Sequence, residues 1–175
     1  MPKRFSSTNG WLGFSLDLAR KKNFSDALRV LHKMEARGLD FSGLRLAAQV
    51  NNRCGRVISA EKCWLENAER GGMGSGDYYM LGSLQMQLEK WVLAARSFER
   101  EIEIATLSGE DYFLGVSVIR LAVLKLKLND TAGARSVLDG VAESIGDYIH
   151  DVGYQTKVDI LQEIEISEKG NSEPT

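Results

Sequence analysis

Proline, cysteine and histidine are all scarce in this chain, which has 175 residues but only 2 of each. Few prolines argue against a β-sandwich or a linker-rich protein and fit long helices. Nothing in the sequence suggests an oxidising compartment, so we predict that the cysteines, Cys54 and Cys63, pack as small apolar thiols rather than forming a disulfide. Together with His32 and His150 they show no metal-ligand spacing. We therefore predict no metal and no cofactor.

Long apolar runs are also missing. No stretch approaches the ~18 consecutive apolar residues of a membrane-spanning helix. The N-terminal residues MPKRFSSTNG are polar, and the apolar stretch that follows is interrupted by Asp17 and has no small-residue cleavage site. These features predict a mature, cytoplasmic protein without a membrane span.

Charge of one sign is not in excess. The formal net charge is −2, from 22 lysines and arginines against 24 acidic residues. This balance gives no overall attraction to nucleic acid or to an anionic membrane, although a local basic patch stays open. Nucleic acid is therefore an unfavoured partner.

Motifs of catalysis are absent. The two histidines are far apart in the sequence, and there is no glycine-flanked serine and no paired-carboxylate motif. The acidic residues Glu99, Glu101 and Glu103 lie on one predicted helix with Arg96 and Arg100, which predicts a solvated helix face. We predict that the protein is not an enzyme.

A glycine-rich segment, GGMGSG, occupies residues 71–76. A phosphate-binding loop needs a preceding strand, and in the Walker form a Lys-Ser/Thr pair, and this segment has neither. We predict a hinge between two helical repeats instead, with Asp77 starting the next helix.

Helical periodicity is the strongest positive signal, and it is clearest from Asp77 to Ala105. This stretch predicts two amphipathic helices joined by a tight turn at Glu89-Lys90. The first helix carries Leu81-Gly82, and the second carries Ala94 followed four residues later by Phe98. Such a pair cannot bury its apolar face alone, so neighbouring pairs are expected.

The same arrangement recurs along the chain. The alanines Ala27, Ala60, Ala94 and Ala134 are separated by 33, 34 and 40 residues. Each small residue lets two helices approach closely, and a bulky residue four positions later fills the seam. Those bulky residues are Leu31, Trp64, Phe98 and Leu138. The predicted helix hairpins cover about residues 9–38, 41–71, 76–106 and 111–145, within one domain over 9–166.

The ends of the chain differ from the repeats. Residues 1–8 are predicted to be a flexible N-terminus, and Ser25 is the predicted N-cap of the second helix. The segment 147–166 has apolar residues on one face and acids opposite, which predicts a helix that caps the last seam. The polar residues 167–175 are predicted to be a disordered tail.

These motifs resemble those of the tetratricopeptide repeat family, whose period is about 34 residues. Leu81-Gly82, Ala94 and Phe98 match the family pattern, and Trp11 and Tyr78 match its first aromatic position. The other three hairpins are degenerate matches, and the proline that closes a repeat is missing throughout. The resemblance implies an all-α, right-handed superhelical solenoid of four hairpins plus a capping helix. A different helical-hairpin solenoid is the alternative.

Family members bind an extended peptide or a helix on the concave face formed by their first helices. The resemblance therefore implies a protein-protein interaction module, with a groove that also includes Leu12, Leu16, Ile119 and Val123. Five basic residues and no acid among its polar members predict an acidic or carboxylate-bearing partner segment, with Tyr79 and Met86 as apolar anchors. The predicted partner-binding residues are Arg20, Arg45, Gln49, Asn52, Arg53, Tyr79, Ser83, Met86, Gln87, Arg120 and Lys127.

The biological role stays open between several classes. A small stand-alone binder acts by occupying its partner, as an inhibitor such as an immunity protein or as a secretion chaperone. An adaptor or scaffold subunit of a larger assembly and a nucleic-acid-binding helical repeat are the alternatives. Homo-oligomerisation is compatible with each of them, and the convex side is the alternative binding face.

Overall fold

A computed structural model describes residues 7–109 and 111–170 of the chain. These residues are mostly helical, with one two-stranded antiparallel sheet. The elements are α1 Thr8–Arg20, α2 Phe24–Glu35, α3 Phe41–Arg53, α4 Val57–Glu69, α5 Asp77–Gln87, α6 Trp91–Ser108, α7 Asp111–Lys127, α8 Thr131–Val137, β1 Gly146–Ile149, β2 Gly153–Thr156 and α9 Lys157–Gly170. The chain divides into two compact units, Met1–Met73 (unit 1) and Gly74–Thr175 (unit 2). The single domain over 9–166 stays a prediction.

Unit 1 consists of two antiparallel helix pairs, α1 with α2 and α3 with α4, and α1 also packs against α3. Its core includes Leu12, Leu31 and Ala47, all fully buried. The hydroxyl of Ser15 on α1 donates to the carbonyl oxygen of Ala27 on α2 at 2.6 Å. A short side chain of α1 thus bonds directly to the backbone of α2.

Unit 2 begins with two further helix pairs, α5 with α6 and α7 with α8, and α6 also packs against α7. One core cluster joins Phe98 of α6 to Leu121 and Leu124 of α7. A second cluster joins α7 and α8 to Ile149 of β1 and Ile160 of α9. The β-hairpin and α9 therefore complete the core of this unit.

The predicted packing positions are confirmed as core positions. All four alanines have no exposed surface, and the four bulky residues that follow them are at most 1% exposed. The sequence also predicts that Gly38 and Gly55 end their helices in a left-handed conformation, and this is confirmed by their φ angles of 80° and 73°. Glycine reaches this left-handed region without the steric penalty of other residues.

The Leu-Gly pair of α5 has a packing explanation. A Cβ atom at Gly82 would lie 2.9 Å from the ring of Phe98, which is fully buried on α6. Glycine at this position leaves room for the aromatic ring of the paired helix. The motif that defines the predicted repeat is therefore a glycine facing an aromatic side chain.

The predicted closing helix over 147–166 is wrong over its first half. Residues 146–156 form a β-hairpin in which Tyr148 pairs with Tyr154, and the helix begins only at Lys157. Asp151 and Gly153 adopt φ angles of 70° and 99°, which turn the chain between the strands. The strictly all-α class is corrected to a mostly helical one, because the positive φ angles at Asp151 and Gly153 reverse the chain where a helix would have to continue.

Several predicted boundaries also shift. Asn23, rather than Ser25, caps α2, since its side chain accepts a hydrogen bond from the amide of Asp26. In the fourth pair α8 ends at Val137, well before residue 145. The last helix continues to Gly170, whereas a disordered tail was predicted from residue 167. Residues 1–6 and 171–175, at the predicted flexible ends, lie outside the described residues.

Both cysteines are free thiols, and burial raises the pKa of Cys63 to about 11. Among the helices described, none combines the length and apolar character required to cross a bilayer.

Replacing Gly82 with alanine tests the glycine-aromatic contact. We expect Gly82→Ala to lower the free energy of unfolding by about 1–3 kcal/mol, because the added methyl group meets the buried ring of Phe98. Urea denaturation followed by circular dichroism measures the effect. The matched control is Gly13→Ala in α1, where a Cβ would meet no atom within 4 Å. That variant should be neutral or more stable by up to about 1 kcal/mol, and equal stability of the two variants would contradict the interpretation.

Candidate functional site

Three of the predicted partner-binding residues meet in unit 2. Tyr79 and Ser83 lie one turn apart on α5, and Arg120 comes from α7. The Arg120 Nη1 atom donates to Ser83 Oγ at 2.8 Å, and the guanidinium carbon lies 4.7 Å from the centroid of the Tyr79 ring. The predicted register thus brings together side chains that are 37 to 41 positions apart in the sequence.

A fourth residue, Asp147, completes this group, and sequence reasoning missed it. Arg120 Nε donates to Asp147 Oδ2 at 2.5 Å, and the Tyr79 hydroxyl donates to the same oxygen at 2.8 Å. Arg120 Nη2 also donates to the backbone carbonyl of Tyr148 at 3.1 Å. We call Tyr79, Ser83, Arg120 and Asp147 the Arg120 cluster. Arg120 therefore already holds a carboxylate of its own chain.

The Arg120 cluster is largely withdrawn from water. The side chains of Arg120 and Asp147 are only 12% and 13% exposed. Burial is the largest influence on the Tyr79 phenol and raises its pKa. The adjacent Arg120 lowers this pKa, whereas the hydrogen bond to Asp147 raises it, and the resulting pKa lies well above the usual range of a tyrosine. The phenol therefore remains a proton donor to Asp147 throughout the physiological range. The hydrogen bonds of the Arg120 cluster connect strand β1 to α5 and α7.

Glu101 is the second polar residue that the sequence did not identify. It was predicted on a solvated face, but it is fully buried. Its Oε1 atom accepts from the amide of Gly76 at 2.6 Å, and its Oε2 atom accepts from the amide of Tyr79 at 3.2 Å. A carboxylate from α6 thus satisfies amide groups at the start of α5, where no local side chain does so.

The glycine segment predicted to be a hinge is tethered at its C-terminal end. Gly74 donates its amide to Asp77 Oδ2 at 2.9 Å, while Glu101 accepts from Gly76. Gly76 has a φ angle of 84°, and a Cβ atom there would lie 2.6 Å from the ring of Phe113. Only glycine fits this position. The boundary between the two units falls immediately before Gly74.

The remaining predicted residues of unit 2 have mixed surroundings. Met86 is half-buried and packs against both core clusters, and Ile119 is fully buried, so these two belong to the core. Val123 also packs against the second core cluster. Lys127 lies with its ammonium 3.7 Å from the centroid of the Trp91 ring, and Gln87 is exposed. Met86 therefore contributes to the core, and its role as an apolar anchor for a partner stays a prediction.

In unit 1 the predicted face separates into core and surface. Leu12 and Leu16 are 0% and 4% exposed and belong to the core, which corrects their assignment to the groove. Arg20 is exposed and pairs with Asp17 at 3.1 Å within α1. These leucines face the core because the apolar side chains of an amphipathic helix turn inward.

Four predicted residues of α3 form a surface row, which we call the α3 stripe. Arg45 and Arg53 are exposed, and Gln49 and Asn52 between them are half-buried. Their spacing of four, three and one residues places them on one side of the helix, opposite buried Ala47 and Asn51. The stripe presents two guanidinium groups and two carboxamides.

Comparisons with known proteins add no identification. No family model matches the chain, and no curated protein or solved structure shows a significant match. Within residues 7–109 and 111–170, no group of three or more His, Cys, Asp or Glu side chains is arranged to hold a metal ion.

Replacing Glu101 with glutamine tests its role as an acceptor at the start of α5. We expect Glu101→Gln to lower the free energy of unfolding by about 1–3 kcal/mol, because buried amide donors lose a charged acceptor. Chemical denaturation measures this change. Glu99→Gln, at an exposed position of the same helix, is the control and should change stability by less than about 0.5 kcal/mol. Similar effects of both substitutions would argue against the capping role.

A double-mutant cycle tests the coupling of Arg120 and Asp147. Asp147→Asn and Arg120→Gln should each destabilise the fold by about 2 kcal/mol, since each leaves a largely buried partner incompletely bonded. The coupling energy should be about 1–3 kcal/mol. The same cycle on Arg100 and Glu103, whose side chains are 57% and 60% exposed, should give at most about 1 kcal/mol. Equal coupling energies would contradict a structural role for the cluster.

Proposed function

We propose that this chain is a non-catalytic protein-binding module built from tetratricopeptide-type helix pairs. The proposal depends on one observation: side chains of α5 and α7 bind strand β1, which is an extended segment of the same chain. Arg120 donates to both the carboxylate of Asp147 and the carbonyl of Tyr148, and Tyr79 contributes its hydroxyl. Helix side chains thereby recognise an acidic residue and the adjoining backbone of an extended segment.

The α3 stripe has the same kinds of donor groups at the surface of unit 1. Guanidinium groups suit carboxylates, and carboxamides suit the amide and carbonyl groups of a backbone. In the described part of unit 1, residues 7–73, no strand lies on this stripe. We therefore assign the partner-binding surface to Arg45, Gln49, Asn52 and Arg53, whereas Arg120 and its cluster serve the fold.

The spacing of the arginines defines the partner segment. Arg45 and Arg53 are eight residues apart on α3, which corresponds to about 12 Å along the helix axis. Residues i and i+4 of an extended strand are separated by about 13 Å and point to the same side. The stripe thus fits an extended segment with acidic side chains four residues apart, its backbone facing Gln49 and Asn52.

By such binding the protein acts either as an inhibitor of a folded partner or as a chaperone that keeps a partner segment extended. An inhibitor, such as an immunity protein, binds one folded partner tightly. A secretion chaperone binds extended segments with lower affinity for the same area, because the segment loses conformational entropy on binding. The extended geometry inferred for the partner segment favours the chaperone-like role over an adaptor.

Charge reversal of the α3 stripe tests the proposed surface. Affinity capture from the native organism's lysate should yield a protein that binds the wild type at least about tenfold more tightly than the Arg45→Glu/Arg53→Glu variant, a difference of 1.4 kcal/mol or more. The reversed charges repel acidic side chains and remove the guanidinium donors. Affinities of the purified partner are measured by calorimetry at two salt concentrations.

The matched control is Lys33→Glu/Arg37→Glu, which changes the net charge equally at exposed positions at the end of α2. This variant should bind like the wild type, and both variants should keep their helical content and melting temperature. Equal loss of binding in both would indicate a general charge effect. Unchanged binding by the Arg45/Arg53 variant would refute the assignment of this surface.

A further inference from the structure

A cavity of about 390 Å³ lies in unit 1, away from the α3 stripe. It is lined by the C-terminal end of α2 with the following loop, by two buried residues of α3, and by one face of α4. The α4 residues Arg56, Ser59, Cys63, Glu66 and Arg70 recur every three or four positions and so share that face. Cavities of this size hold small molecules.

The basic residues at the two ends of the α4 face differ in whether they form ion pairs. Near the C-terminus, Arg70 pairs with Glu66 and donates to the carbonyl oxygen of Leu39 at 2.9 Å. Near the N-terminus, Arg56 and Lys62 form no ion pair with any of the described residues. Glu35, at the end of α2, is the second carboxylate of the lining, so that three basic side chains face two acidic ones and the cavity has an excess of one positive charge.

The first turn of α4 adds further donors. Arg56 is its N-cap residue and provides no side-chain cap, and the turn contains no acidic residue. Its leading amide groups and the positive end of the helix dipole favour a negative group. The hydroxyl of Ser59 lies on the same face and has no hydrogen-bond partner within the described chain.

Asn51 of α3 is an independent indication of a ligand. It lines the cavity and is only 1% exposed, and its backbone carbonyl accepts from the amide of Arg56 at 2.8 Å. Its Nδ2 atom lies 3.8 Å from Cys63 Sγ, while its Oδ1 atom has no partner among the described residues. An unpaired buried amide oxygen costs about 1–3 kcal/mol. A donor group on a ligand would satisfy it.

We propose that this cavity binds a small phosphate monoester that carries hydroxyl groups. The phosphate, with three terminal oxygens and close to two negative charges, matches Arg56, Lys62, Ser59 and the amides of α4 better than a singly charged carboxylate does. A ligand hydroxyl donates to Asn51 Oδ1. This site is independent of the α3 stripe, so that the Arg45→Glu/Arg53→Glu variant should retain it.

Ribose 5-phosphate is a suitable probe, and Cys63 is a built-in reporter. In a Cys54→Ser variant, Cys63 is the only cysteine, and it lines the cavity. Its alkylation is followed at alkaline pH, because burial raises the pKa of this thiol to about 11. Millimolar ribose 5-phosphate should slow alkylation several-fold, and calorimetry should detect the same binding. Inorganic phosphate and ribose alone should both bind at least tenfold more weakly.

Substitutions locate the two halves of the ligand. Arg56→Gln and Lys62→Gln should each weaken ribose 5-phosphate binding about tenfold, whereas Lys33→Gln, at an exposed position of α2, should leave it unchanged. Asn51→Ala should remove the advantage of ribose 5-phosphate over inorganic phosphate. Circular dichroism confirms that each variant is folded, and measurements are made only on folded variants.

Four results would overturn the proposal. The first is that millimolar ribose 5-phosphate neither protects Cys63 from alkylation nor gives a calorimetric signal. The second and third are that ribose alone binds as tightly as ribose 5-phosphate, or that inorganic phosphate does so without any dependence on Asn51. The fourth is that a phosphoserine peptide binds more tightly than ribose 5-phosphate. The last result would assign the site to a protein partner instead. None of these outcomes bears on the α3 stripe, because its test uses different variants and a protein ligand.

Discussion

Close approach of paired helices at small residues is the constraint on which the rest of this structure depends. Each packing alanine is fully buried, and a bulky side chain four residues later fills the adjoining space. Gly82 faces Phe98 with no room for a methyl group. Because α5 and α6 are held at this distance, Glu101 of α6 reaches the first amides of α5. The polar interactions thus follow from the apolar packing.

The polar groups of the two units are used differently. In unit 2, Arg120, Tyr79 and Ser83 are engaged by Asp147 and Tyr148 of the β-hairpin, so that the donors act within the fold. In unit 1, the guanidinium groups of Arg45 and Arg53 are at the surface. The same residue types therefore contribute to stability in one unit and, in our proposal, to partner recognition in the other. Burial decides between the two uses, since a buried arginine requires a partner within the chain.

Two surfaces of unit 1 emerge as candidates for ligands of different chemistry. The α3 stripe is a row of donors along an exposed helix face, which suits an extended acidic segment. The cavity beside α4 instead combines cations with a buried unpaired carboxamide, which suits a compact anion with hydroxyl groups. α3 contributes to both, because the adjacent Asn51 and Asn52 point about 100° apart around the helix axis, Asn51 into the core and Asn52 towards the surface.

The sequence by itself determined the helical periodicity, the packing alanines and the glycine stops, because these depend on residues within a few turns of one another. It also placed Tyr79, Ser83 and Arg120 on one face. Only the tertiary structure decided that Glu101 is buried beneath Gly76 and that Asp147 neutralises Arg120, since these contacts join residues 25 and 27 positions apart. The β-hairpin was likewise missed, because alternating tyrosines and valines within a short segment fit a helix or a strand until packing against α7 selects one.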